Sequence, residues 1–328
     1  MPGRLLSAAI LIPGFLGLCW LDHRSGPTAP ALFVALLAIG WTATAELVRL
    51  FPPPAAPPAP EPGDEEDTPA DYWADPKAAR PSLLAAGLGV TFALLGAWAP
   101  HWFVHADDPT LPATLSPTNA LTGLGGVTIG VAAGLILAAV RRVLRFDRPG
   151  GHAEGLAAEA FGLLYVGGLL AVTAQLRWVG GPDGDGSAGY LAIGSLIAAA
   201  KCGDTGAYFT GRLLGKRKLI PRVSPGKTWA GAVGALFWAA VGTTLWLWLA
   251  GESFGRGELD FLRAAVFGAA VGLAGLFGDL VESVLKRDAG VKDAGALLPG
   301  MGGVLDVLDS LLLAGPVAVL LWSLWPPA

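Results

Sequence analysis

Charge is scarce in this sequence. Asp, Glu, Lys and Arg make up 15% of 328 residues, against 53% hydrophobic residues. A soluble globule usually carries about 25% charged residues, so this balance excludes that class and points to a polytopic membrane protein. Cysteine is also nearly absent. The two present, Cys19 and Cys202, lie within apolar runs, which excludes a disulfide framework and reads as two small buried hydrophobes. A cleavable leader is not expected: residues 5–20 are apolar after Arg4 but lack the small-residue cleavage pattern, and further apolar runs follow. No internal repeat is visible, which argues against a transporter built from two related halves. A formal net charge of -4 says little about partners, and nothing in the sequence points to nucleic acid.

What is present is a series of apolar runs near the ~20 residues that cross a bilayer. They fall at 5–20, 30–50, 82–100, 120–140, 156–176, 188–210, 229–250, 261–285 and 303–325. The expected fold is therefore all-α, an integral membrane protein of about nine transmembrane helices. Two regions are expected: N-terminal spans over 1–200 and a C-terminal catalytic region over 201–328. Glycines at small-x-x-x-small spacing, as in Gly268, Gly272 and Gly275, suit close helix packing. The Pro- and acid-rich segment 52–81 reads as a disordered linker. His101 and His105, followed by Asp107 and Asp108, read as part of a solvated loop rather than a metal site.

Most Lys and Arg fall before the first run and after the second, fourth, sixth and eighth, which predicts a cytoplasmic N-terminus. The same asymmetry puts both charged motifs of the chain on the cytoplasmic side of the cell membrane.

The first motif is the stretch 277–310, FGDLVESVLKRDAGVKDAGALLPGMGGVLDVLDS. Acidic residues in spanning helices cost about 2.5–3.5 kcal/mol each on insertion scales, so they call for an explanation. Asp279, Glu282, Ser283 and Lys286 share one helical face, and Asp306 and Asp309 share another. Two such faces aimed at one point could hold a divalent metal through carboxylate oxygens, and Lys286, Arg287 and Lys292 would supply charge for phosphates. The second motif, 201–231, opens with Lys201 and Asp204 one turn apart. The bland reading of that pair is mutual neutralisation within a bundle. It continues into a basic loop and Ser224-Pro225-Gly226-Lys227-Thr228. That pentapeptide lacks the glycine and preceding strand of a full P-loop.

The first motif resembles the signature of phosphatidate cytidylyltransferases, S-x-x-K-R-x4-K-D-x-G-x3-P-G-H-G-G-x-x-D-R-x-D. Ser283, Lys286, Arg287, Lys292, Asp293, Gly295, Pro299, Gly300, Gly302, Gly303, Asp306 and Asp309 stand at matching places. The second motif is similar to that family's D-[ST]-G-A-Y-x-x-G-[RK]-x-x-G-K and S-P-x-K-T segments through Asp204-Thr205-Gly206-Ala207-Tyr208, Gly211-Arg212, Gly215-Lys216, Ser224-Pro225 and Lys227-Thr228. Three positions depart from the pattern: Met301 replaces a His, Val307 an Arg and Ala230 a Glu.

The resemblance implies transfer of CMP from CTP to phosphatidic acid, with Mg2+ and a homodimer. In that reading Asp279 and Asp306 bind Mg2+, supported by Asp309 or Asp204. Lys227, Lys292 and Arg287 neutralise phosphates, with Lys286 in the same basic cluster. Ser224 and Ser283 offer hydrogen bonds, and Gly302-Gly303 present free N–H groups at a helix start to an anion. The alternatives are a CTP-dependent kinase or transferase acting on another lipid, a transporter, and an inactive membrane relative.

Overall fold

The computed structural model describes residues 2–26, 28–51, 80–103, 120–147, 151–179, 187–251 and 259–327. Each of the nine apolar runs is a helical rod: α1 (Pro2–Arg24), α2 (Pro30–Leu50), α3 (Leu83–Phe103), α4 (Ala120–Leu144), the rod 152–178, α7 (Ser187–Leu214), α8 (Trp229–Gly251), α9 (Phe261–Asp288) and α10 (Val304–Leu324). The rod 152–178 changes pitch along its length: α5 (His152–Gly162), a π-helical turn Leu163–Gly168, α6 (Leu169–Ala174) and a 3-10 turn Gln175–Trp178.

Among the described residues, seven of these rods are identified as long and apolar enough to cross a membrane; α7 is not one of them, because Lys201 and Asp204 interrupt its apolar run. An all-α polytopic membrane protein is thus what the chain folds into, and seven of its helices meet that measure among the described residues. One short antiparallel hairpin, β1 (Lys218–Ile220) and β2 (Ser224–Thr228), stands between α7 and α8. The sequence reading treated that stretch as a basic loop.

Two cores hold the bundle. One joins Leu47 of α2, Val90, Leu94 and Trp98 of α3, Val166 of the π turn and Leu305 and Leu312 of α10. The other joins Leu191 and Leu196 of α7, Leu247 of α8, Phe267 and Val271 of α9 and Ala318 and Trp322 of α10. Helix α10 is therefore common to both. Helix α9 lies between α8 and α10 along its glycines. A methyl group at Gly268 or Gly272 would strike Ala239 of α8, while Gly275 faces Ser310 and Ala314 of α10. This bears out the close packing expected of that stripe.

The two cysteines are free. Cys202 is exposed rather than buried, which corrects the reading of it as a core residue: a bundle that meets lipid can leave apolar side chains on its outside. His101 is buried in α3, 3.0 Å from Oε1 of Gln175. His105, Asp107 and Asp108, residues 52–79 of the acid-rich segment and residues 180–186 lie outside the described residues.

Candidate active site

Because α9 approaches α8 and α10 without side chains at Gly272 and Gly275, its polar end is carried into the middle of the α7–α10 group. There Asp279 meets a cavity of about 510 Å³. The same cavity is lined by Asp204, Tyr208 and Arg212 of α7 and by Lys218, Ser224 and Lys227 of the hairpin. The hairpin is held in place by Thr228, whose Oγ1 accepts the Gly231 N–H at the start of α8, and by the Trp229 N–H, which donates to the Arg217 carbonyl. Gly211 and Gly215 leave room for the Thr228 side chain. The glycines of the second motif thus let α7, hairpin and α8 close on one another.

Lys227 Nζ stands 2.7 Å from Asp279 Oδ2, so the two motifs meet as an ion pair at the cavity wall, with 19% and 32% of the side chains exposed. Ser283 Oγ donates to Asp279 Oδ1 at 3.3 Å. Lys201 and Asp204 form a looser pair at 3.7 Å, about half exposed. Lys201 does more than neutralise its neighbour: its Nζ also donates to the Val307 carbonyl at 3.3 Å. A cation thus lies beside position 307, where the resembled signature carries an Arg. Gly278 packs directly on the Asp309 carbonyl, which brings Asp309 beside Asp279, and Asp204, Asp279 and Asp309 act on one another electrostatically.

The remaining signature residues build a second, drier cluster. Lys286 Nζ donates to Glu282 Oε2 at 2.6 Å and to Asp306 Oδ1 at 2.7 Å. Asp306 Oδ2 accepts the N–H groups of Ala294 (2.9 Å) and Gly303 (2.7 Å). The two polar faces of the first motif do converge, but the group between them is the Lys286 ammonium. Lys286 and Asp306 are brought to each other and not to the cavity wall.

Gly302 has φ +94°, a left-handed conformation that glycine adopts without strain, and turns the loop into α10. Its N–H donates to the Leu298 carbonyl at 3.1 Å, and the Gly303 N–H is taken by Asp306. This corrects the expectation of free N–H groups there: the loop spends them on its own closure. Arg287 donates to the Val223 carbonyl (3.3 Å) and to the Val291 carbonyl (2.9 Å), tying the hairpin to the end of α9. Lys292 is exposed on the loop beyond. Met301 is exposed at the turn, and Ala230 sits in the first turn of α8.

Sequence reasoning passed over two residues of this region. Glu46 of α2 is 4% exposed and accepts the N–H groups of Val304 and Leu305. Ser7 of α1 donates to the Pro299 carbonyl at 3.0 Å. The signal for Glu46 was available, since it is the one acid in an otherwise apolar run.

Among the described residues, no three of His, Cys, Asp and Glu form a ready-made metal cage. Mg2+ seldom uses one: it binds through one or two carboxylates together with substrate phosphates and water. Asp279, with Asp204 and Asp309 beside it and three cations on the same cavity, suits a metal that arrives with a polyphosphate.

Residues 120–325 match the model of the cytidylyltransferase family. A phosphatidate cytidylyltransferase of Pseudomonas aeruginosa is 48% identical over 138 residues, 40% of this chain and 49% of that protein. One of Haemophilus influenzae is 44% identical over 113 residues, 34% of this chain and 39% of that protein. An uncharacterized protein of Escherichia coli, YnbB, is 35% identical over 185 residues, 56% of this chain and 59% of that protein. The chain spans about half the length of the curated relatives it matches.

Proposed function

Since the chain belongs to the cytidylyltransferase family, we propose that it transfers CMP from CTP to phosphatidic acid, releasing pyrophosphate and forming CDP-diacylglycerol. The observation that carries this reading is the cavity on which Asp204, Ser224, Lys227 and Asp279 from both motifs converge.

In the proposed step, an oxygen of the lipid phosphate attacks the α-phosphorus of CTP. A new P–O bond forms, and the bond from the α-phosphorus to the oxygen bridging it to the β-phosphorus breaks. The electron pair leaves with pyrophosphate. No base is needed to generate the nucleophile, because a phosphate monoester is already largely ionised near pH 7. The difficulty is electrostatic, since two anions must meet. Lys227, Lys218 and Arg212 line the cavity and supply positive charge to the triphosphate and the lipid phosphate. Ser224, on the same wall, offers a hydroxyl to a phosphate oxygen. Asp279, with Asp309 and Asp204 as neighbours, would hold Mg2+. When bound, that ion screens the phosphates and polarises the attacked phosphoryl group. Substrate phosphate would draw the Lys227 ammonium away from Asp279, leaving the Asp279 carboxylate as the group that would hold the ion. Asp306 and Lys286 hold the loop that leads into α10.

We place the cavity on the cytoplasmic side of the cell membrane, with the N-terminus on that side and two copies of the chain as the working unit. CTP then comes from the cytosol and the lipid phosphate from the adjoining leaflet.

The test is Mg2+-dependent incorporation of label from CTP into lipid by the purified protein with phosphatidic acid. Label recovered in CDP-diacylglycerol from α-labelled CTP supports the reading. Transfer of only the γ-phosphate would replace it by a lipid kinase. CTP binding without product from phosphatidic acid would move the proposal to another acceptor lipid.

A further inference from the structure

Glu46 lies near the C-terminal end of α2, far along the chain from either motif, and an acid buried in an apolar helix needs a compensating partner. It has two. Its Oε1 accepts the Val304 N–H at 3.1 Å, and its Oε2 accepts the Leu305 N–H at 2.7 Å. These are the first two residues of α10, whose opening N–H groups have no partner within their own helix. The residue before them, Gly303, has no side chain to serve as a cap. Helix α10 is therefore capped from α2.

Two signature glycines fit around this carboxyl group. A methyl group at Gly295 or at Gly303 would run into the Glu46 oxygens. Their smallness admits a side chain from 249 or more residues earlier, beyond any need of the turn itself. Ser7 of α1 holds the same loop from the same side through the Pro299 carbonyl. The loop 294–303 is thus gripped from within by Asp306 and from without by α1 and α2. Both outer helices precede the stretch 120–325 that matches the family model.

We propose that Glu46 is a positioning residue of the active site. It fixes the loop 294–303 and the first turn of α10, and through that turn the placement of Asp306 on Lys286 and of Asp309 beside Asp279. The catalytic consequence rests on the transferase reading above; the structural one does not.

The full-length protein in lipid nanodiscs is compared with its Glu46→Ala, Glu46→Gln and Ser7→Ala variants. Two quantities are measured: amide hydrogen exchange across 294–305, and the kinetics of CMP transfer from labelled CTP to phosphatidic acid. Loss of both acceptors in Glu46→Ala is expected to speed exchange at Val304, Leu305 and the loop by at least about tenfold. Exchange in α3 and α4 is expected to stay as it was. The same variant is expected to lower kcat by about tenfold or more while KM for CTP changes little, because the CTP-facing side chains belong to α7 and the hairpin. Glu46→Gln keeps one acceptor and turns a donor toward the other N–H, so it should fall between Ala and wild type. Ser7→Ala should loosen the loop around Pro299 by a few-fold.

Unchanged exchange over 294–305 in the Glu46 variants would overturn the proposal. So would faster exchange with unchanged kcat, which would make Glu46 a cap and nothing more. If Glu46→Ala fails to assemble, Glu46→Gln and Ser7→Ala decide by the same criteria. A wild-type protein without CMP transfer would defeat the transferase reading, while the exchange data would still decide whether Glu46 holds the loop.

Discussion

At the end of the bundle away from the cavity, Arg177 and Asp22 lie 2.8 Å apart with 3% and 1% of their side chains exposed. Around the cavity, Lys227 and Asp279 lie 2.7 Å apart with 19% and 32% exposed. The distances are alike and the settings are not. Asp22 also accepts from Tyr190 Oη and the Leu32 N–H, so its pair joins α1, α2, α7 and the end of the rod 152–178. Glu159 does the same for Arg141, Arg142 and the Ser82 N–H. These carboxylates are saturated by protein. Asp279 has a cation and one hydroxyl, and a cavity in front of it. Charge inside an apolar bundle therefore serves two ends here. Saturated pairs fasten helices, and the half-open pair leaves part of its charge facing a cavity.

The largest effect that would break or sharpen this contrast is at Asp279. Asp279→Asn should lower CMP transfer by on the order of 10³-fold or more while the protein stays folded in the membrane, read by labelled-CTP incorporation beside a thermal melt. Full activity in that variant would remove Asp279 from the metal assignment. Arg177→Met should do the reverse. An uncompensated Asp22 in a dry site costs about 3 kcal/mol, seen as a lowered melting temperature, while kcat of the surviving folded protein is kept. A smaller effect is expected at Lys227→Met: kcat/KM for CTP down about 10²-fold with the melt nearly unmoved. If that variant instead melted early with kcat/KM intact, Lys227 would belong with the fasteners. The smallest is Lys201→Met. Lys201 is about half exposed, so its loss should cost less than about tenfold in kcat/KM at low salt, and the gap from wild type should narrow as salt is raised.

The helices were legible because an apolar run of bilayer length has one economical way to pair its backbone, and that rule is local. Boundaries moved by a few residues, as at 5–20 against Pro2–Arg24. The hairpin was not legible. Its strands are three and five residues long and charged, so they carry no alternation, and Lys218 pairs with Thr228 only because the ends of α7 and α8 approach. Nor was the π-helical turn Leu163–Gly168 foreseeable, since its residues would pass for an ordinary helix.

In the site, the shared faces followed from helical period alone, and along that face Asp279 does meet Ser283 and Glu282 does meet Lys286. What stands opposite each face did not follow. The resemblance and the two converging faces make Asp306 a metal-ligand candidate; that it meets Lys286 and two loop amides depends on how closely α9 and α10 pack, which the glycines of α9 decide. Glu46 had the same insertion cost as Asp279. It carried no motif to attract notice, and its partners lie more than 250 residues away in the chain.

Helix α10 belongs to both cores and receives its cap from α2. During synthesis it also follows every other described helix out of the ribosome. Until it is inserted, the earlier helices hold two unfinished cores inside the bilayer, Asp279 lacks its neighbour Asp309, and Glu46 is a buried acid with nothing to accept.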